Sequence, residues 1–190
     1  YRNGILRLRE SPLSGRLHLS VQLAIEDYVR GVQELPDFWP GSSLEAQAVV
    51  SRTLAARPLV DYGLAAGFDN WRLGLCSCHV MDDDSEQSFG GYTAELGHSF
   101  WQGRVGATSG KVLTFNNQVI SARFTSSTGG RTEANEATGG EALPYLVSVD
   151  DTPSLSTAAA NPYDSWIQRF PRGGLGSVFG FTALTEVRVS

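Results

Sequence analysis

Apolar and polar positions alternate with a period of two at the start of the chain. Ile5-Leu6-Arg7-Leu8-Arg9 and Leu17-His18-Leu19-Ser20-Val21 each read as a short strand, and Pro12 to Gly15 supply the turn between them. His18 falls on the polar phase, as a surface histidine would, and the hairpin is expected to pack on the helical stretch that follows. The period then lengthens. Glu26 to Arg30 carry a short helical pattern, and Gly31 stands where a helix can end with positive φ. Pro36 and Pro40 forbid regular structure through the next turn, because each removes a donor and pushes its predecessor out of the α region. A second helix is expected to start at Ser42 and Glu45, which have the S-x-x-E spacing of a capping box.

That second helix is apolar over most of its circumference (Leu44, Ala46, Ala48, Val49, Val50, Leu54, Ala55), so it reads as buried on several sides. Gln47 and Arg52 are polar on this apolar rod, and a buried guanidinium requires a partner. Beyond Pro58, Leu59, Tyr62, Leu64 and Phe68 continue a helical pattern. From Glu95 the pattern returns to short strands: 106–110, 112–115, a turn at Asn116-Asn117, and 119–124, with a last strand over 179–189. The expected architecture is a single α+β domain over residues 1–190, with central helices surrounded by antiparallel strands.

Composition narrows the function. A chain of 190 residues with 41% hydrophobic content can build one substantial core. No run approaches the ~20 apolar residues that span a bilayer. The chain starts at Tyr1 without a methionine and reads as a mature or excised segment. Net charge is −5 and Lys111 is the sole lysine, with the arginines scattered rather than striped, so nucleic acid is not an expected partner.

Candidate chemistry gathers at four places. Glu34 lies in the turn beside Leu35, Phe38 and Trp39, where burial raises a carboxyl pKa and a nearby arginine or helix dipole lowers it. Cys76-Ser77-Cys78-His79 admits three states: soft ligands for zinc, a C-x-C disulfide, or two buried thiols. No second Cys/His pair has structural-zinc spacing, and no other cofactor is expected. The run Ser126-Ser127-Thr128-Gly129-Gly130 combines small hydroxyl residues with paired glycines, which let backbone amides approach a ligand. Tyr145, in Leu143-Pro144-Tyr145-Leu146, reads equally as a ring under a sugar face and as a core aromatic.

Taken jointly, these segments resemble the SpoIID/LytB family. The run Glu34-Leu35-Pro36-Asp37-Phe38-Trp39-Pro40 fits its E-x-P-x-x-W-P pattern, and Ala46-Gln47-Ala48 with Arg52-Thr53 fits A-Q-A-x-x-x-R-T. Glu86-Gln87-Ser88-Phe89-Gly90-Gly91 is similar to D-Q-x-Y-x-G, with Glu and Phe replacing Asp and Tyr. The 126–133 loop fits S-S-x-G-G-x-T-E, residues 144–150 fit P-Y-L-x-S-V-x-D, and Asn161 to Trp166 also match. The family's later G-H-G-x-G-M-S-Q segment is absent from these 190 residues.

The resemblance implies an extracytoplasmic lytic transglycosylase. Such an enzyme cuts the N-acetylmuramic acid to N-acetylglucosamine bond of peptidoglycan glycan strands and leaves a 1,6-anhydro end. It implies Glu34 as the catalytic acid and base. Arg52 would hold that acid or bind substrate, with Gln47, Gln87, the Ser126 to Gly130 loop and Tyr145 as further substrate-binding residues. A non-catalytic glycan-binding or amidase-enhancing module, partnered with a cell-wall amidase, is the alternative the same resemblance carries.

Overall fold

The hydrophobic segments that flank the proline-bracketed turn are those that meet in the core. In the computed structural model the described residues are 2–11, 13–32, 34–63, 76, 78–83, 85–157 and 159–163. Single positions 167, 169, 171, 174, 176, 178 and 180 follow. The helical continuation through Leu64 and Phe68, Trp166 and the strand expected over 179–189 lie outside them. The chain divides into two compact units, Tyr1–Phe124 and Thr125–Ser190. Among the described residues the content is mixed α+β, as the pattern implied.

The first unit opens with strands β1 (Ile5–Glu10) and β2 (Leu17–Gln22), paired antiparallel in a register that sets Leu6 against Val21 and Leu8 against Leu19. Leu6, Leu8, Leu17 and Leu19 share that face and are exposed, so the hairpin does not bury it on the helices as expected. A two-stranded ribbon has one neighbour per strand, and alternation alone does not provide a surface to cover it. His18 is half-buried across from Arg9 rather than on the surface.

Helix α1 (Ile25–Arg30) and helix α2 (Gly41–Tyr62) follow, then α3 (Tyr92–Gly97), α4 (Ser99–Ala107) and a small hairpin of β3 (Thr114–Phe115) and β4 (Gln118–Val119). Asn116 and Asn117 both take positive φ, 47° and 62°, at the tip of that hairpin, as an I′-type turn demands. The core is Val29, Val32, Leu44, Ala48, Trp101 and Val105, with Tyr28 and Leu35 packed against it. Each fully buried side chain of this size contributes roughly 1.5–3 kcal/mol.

Three local expectations are corrected. Helix α2 starts at Gly41, and no side chain caps it: Glu45 instead pairs with Arg104 at 2.7 Å, so the S-x-x-E spacing is not a capping box here. Gly31 keeps a right-handed φ of −84°. What requires glycine there is space, since a Cβ would come 2.5 Å from the Phe89 ring. Residues 106–110 close helix α4 and its turn instead of forming a strand. Gly103 and Gly106 weaken the helical pattern, but Trp101, Val105 and Thr108 are all buried, one helical face at i, i+4, i+7.

Among the described residues of the second unit, Arg131 bridges to Asp150 and two 3-10 turns form, Asn135–Thr138 and Thr152–Leu155. The Thr132 amide donates to Val149 O at 2.9 Å, and Asn135 N donates to Leu146 O at 3.0 Å.

Candidate functional site

The polar residues of α2 are buried more deeply than some of its alanines, because they satisfy one another and their neighbours. Arg52 is 1% exposed. Its Nε and Nη2 donate to the two carboxylate oxygens of Glu26 on α1, at 2.8 and 2.9 Å. The remaining N–H groups reach Ala48 O (3.4 Å), Lys111 O (3.1 Å) and Val105 O (3.3 Å). All five donors of the guanidinium are therefore engaged, tying α1, α2, α4 and the strand entry together. The buried arginine does have a carboxylate partner, but that partner is Glu26 and not Glu34. Burial alone raises the Glu26 pKa. The hydrogen bonds from Arg52 and the Gly110 amide, with the Arg52 charge, outweigh it and leave a net lowering.

Beside Arg52, Ser51 Oγ accepts from Gln87 Nε2 at 2.7 Å and from Gln47 Nε2 at 3.3 Å. Gln87 Oε1 in turn accepts the Tyr28 hydroxyl at 2.9 Å. Gln47 and Gln87 are thus inside the unit, Gln87 at 1% exposure, and form a relay from α2 to Tyr28 on α1. Next in sequence, the Thr53 hydroxyl donates to Val49 O and accepts the Leu113 amide at 2.9 Å.

Glu34 stands half-buried where the chain leaves α1 for the proline turn. Its Oε1 accepts the Ser88 amide at 2.7 Å, and the next amide, Phe89 N, donates to Asp82 at 2.8 Å. Successive amides of one segment therefore hold two carboxylates. The Tyr28 ring stacks on Phe89 with centroids 5.3 Å apart and planes 12° from parallel. Burial, then the charges of Glu34 and Asp82, push the Tyr28 pKa well above its ordinary value, so its hydroxyl stays a neutral donor. Phe38 and Trp39 are exposed and do not enclose Glu34 in apolar surroundings, contrary to expectation. Leu35 faces the core instead. The turn is clamped by Asp37, whose carboxylate accepts the Phe100 and Trp101 amides at 3.2 and 2.6 Å and so caps α4 from across the unit.

Of the three states open to the cysteines, the structure holds the disulfide, Cys76 to Cys78 with Cα atoms 5.2 Å apart. Among the described residues no group of three or more His, Cys, Asp or Glu is arranged to hold a metal ion.

In the second unit the expected glycine loop is folded on Asp151. Thr128 Oγ1 donates to Asp151 at 2.7 Å and accepts the Gly130 amide at 3.2 Å. Ser127 Oγ accepts Asn161 Nδ2 at 3.0 Å. Gly129 and Gly130 both have positive φ, and a Cβ on Gly130 would come 2.7 Å from Leu155. Ser126 and Gly129 are exposed, while Ser127, Thr128 and Tyr145 are half-buried.

The sequence profile of the family described as "Stage II sporulation protein", SpoIID, matches residues 14–115, more than half of the chain. The chain belongs to the SpoIID/LytB family. "Stage II sporulation protein D" of Bacillus subtilis (strain 168) is 31% identical over 163 residues, 77% of this chain and 45% of that protein. Its namesake in Bacillus amyloliquefaciens is 34% identical over 161 residues, 75% of this chain and 44% of that protein. The "Amidase enhancer" of Bacillus subtilis (strain 168) is 32% identical over 119 residues, covering 63% of this chain and 14% of that protein. The chain spans less than half the length of these relatives.

Set on the structure, the SpoIID/LytB motifs divide into two kinds of position. Gln47, Arg52 and Gln87 are interior residues hydrogen-bonded within the unit, and Glu34 stands at the margin with Ser88. Four participants escaped the sequence reading: Glu26, Tyr28, Asp37 and Asp82. A buried Arg52 signals that some acid must meet it, but not which one. Asp37 and Asp82 act on amides far away in sequence, which no local pattern reports.

Proposed function

We propose that this SpoIID/LytB chain is a lytic transglycosylase acting on the glycan strands of peptidoglycan through Glu34. The observation that carries the reading is the pose of Glu34: one oxygen fixed on the Ser88 amide, the other accepting nothing among the described residues, on a turn that Asp37 and two prolines immobilise. Glu34, as the acid, gives its proton to the bridging oxygen as the C1–O bond breaks. The muramyl sugar's own C6 hydroxyl then adds to C1, and Glu34 takes that hydroxyl's proton. Atoms balance without water, and the carboxyl ends as it began. One carboxyl serves both steps, unlike the two-carboxylate hydrolases.

The buried set works through position. Arg52 locks α1 against α2, and Gln87 and Tyr28 fix the segment whose amides hold Glu34 and Asp82. In the second unit, Ser126, Ser127, Gly129 and Tyr145 are assigned to sugar contacts, and Thr128 and Gly130 to shaping their loop. We place the protein outside the cytoplasm, in keeping with the Cys76–Cys78 disulfide, which oxidising compartments preserve. Among the described residues no helix is long and apolar enough to cross a membrane.

Similarity to the amidase enhancer favours a second reading, a module that binds glycan or a cell-wall amidase without cutting. Digestion of purified glycan strands followed by mass spectrometry separates the two. New 1,6-anhydro ends are expected; retention on sacculi with no new ends supports the binding module.

A further inference from the structure

The first hairpin is turned inside out. Pairing sets Leu6 against Val21, Leu8 against Leu19 and Glu10 against Leu17, so these six side chains share one face of the β1–β2 ribbon. Arg7, Arg9, His18 and Ser20 share the other. A ribbon in water is expected to turn its apolar face inward. Here Leu6, Leu8, Leu17 and Leu19 are 53–69% exposed, while Arg9, His18 and Ser20 are half-buried. Charge is divided as well. Of 15 basic and 20 acidic side chains, residues 1–22 hold Arg2, Arg7, Arg9 and Arg16 against Glu10, a balance of +3, which leaves 11 basic and 19 acidic elsewhere, a balance of −8.

We propose that the β1–β2 ribbon docks flat on an anionic lipid bilayer, with its leucine face at the acyl boundary and its arginines among the phosphates. Three observations select lipid over protein. The exposed face is aliphatic and carries none of the tryptophan, tyrosine or arginine anchors that dominate protein interfaces. Five apolar side chains are few beside the about 20–30 residues a side of a standard protein interface. An amphipathic element on a membrane needs only such a face with basic residues beside it. The third observation is the sign of the charge. An anionic surface attracts the +3 ribbon and repels the −8 remainder, so the chain approaches ribbon first. A second copy packed leucine to leucine would instead bring two +3 ribbons together. Long arginine stems reach the headgroups around the edges of the ribbon while the leucines sit deeper. The ribbon lies on the bilayer and spans nothing, and the proposal stands apart from whether Glu34 cuts glycan.

The test is co-sedimentation of the intact chain with vesicles of equimolar phosphatidylglycerol and phosphatidylcholine, and with phosphatidylcholine alone. The wild type is expected to bind the mixed vesicles about tenfold or more tightly than the neutral ones, and to lose that preference in high salt. Leu8→Ser with Leu19→Ser is expected to melt like the wild type, because both side chains are exposed, and to bind about tenfold more weakly. Arg7→Gln with Arg16→Gln should weaken binding to the mixed vesicles by about tenfold or more and leave the neutral ones unaffected. A wild type that ignores the mixed vesicles overturns the proposal. Unchanged binding in either double variant does so too, and the arginine pair decides the matter if the leucine pair unfolds. A leucine-dependent dimer in sedimentation velocity, or a protein partner held through the leucines by a chain that ignores lipid, gives the face another occupant and overturns it.

Discussion

Arg52 and Glu26 form a two-pronged pair, with Nε and Nη2 each 2.8–2.9 Å from one carboxylate oxygen, and it joins the first two helices of the chain. The other three donors end on backbone carbonyls of α2, α4 and the β3 approach. An ammonium has neither the plane nor the number of donors to replace this fork. Arg52→Ala is therefore expected to lower stability in urea by about 3 kcal/mol or more, the cost of orphaning a paired buried charge. Arg52→Lys should recover little of it. Wild-type stability in the lysine variant would show that the fork is dispensable.

The same pair sets a pH dependence. The folded-state pKa of Glu26 lies below its ordinary value of 4.5, so its contribution is fully present above that value and is lost as pH falls through the lower folded value. Thermal melts from about pH 7 to about pH 3 should show stability declining only in the acidic part of the range. In Glu26→Gln the melt should start lower at neutral pH and lose part of the acid slope. A variant with an unaltered acid slope would assign that slope to other carboxylates.

Tyr28 joins the relay through Gln87 to Ser51, and its hydroxyl is held as a neutral donor. Tyr28→Phe leaves the Gln87 carbonyl unmet inside the fold, a cost of about 1–3 kcal/mol by denaturant unfolding. Turnover should fall as well, since the 87–89 segment carries the amide that holds Glu34. A variant as stable as the wild type would mean that Gln87 turns to another donor.

Asp37 is expected to act through its clamp between the proline turn and α4. Asp37→Ala removes acceptors from two first-turn amides, and should cost about 0.5–2 kcal/mol in thermal or denaturant melts. Asp37→Asn retains an acceptor and should cost less. Equal losses in the two variants would point to charge, not capping, as what α4 requires.

These tests also mark how much could be read from the chain. The Glu34 turn, the first hairpin and the buried helix were legible because prolines, alternation and an apolar circumference are local signals. The need of Arg52 for an acid was legible too. Its identity was not, since Glu26 and Glu34 both precede α2 and only packing of α1 selects between them. Helix α4 was read as a strand approach because Gly103 and Gly106 weaken its propensity, and its cap comes from Asp37, more than sixty residues earlier. The exposure of Phe38 and Trp39 was missed for the opposite reason: large rings beside an acid look like core until the Asp37 clamp is seen.

The central claim is that Glu34 cycles a proton on the glycan. Glu34→Gln keeps the shape and an acceptor for the Ser88 amide but cannot give and retake a proton. One preparation of that variant, measured for melting temperature and for release of anhydro-ended fragments from glycan strands, decides the matter. The account predicts a melt close to the wild type, with release lowered about 10²-fold or more. Undiminished release from a folded Glu34→Gln protein would contradict it.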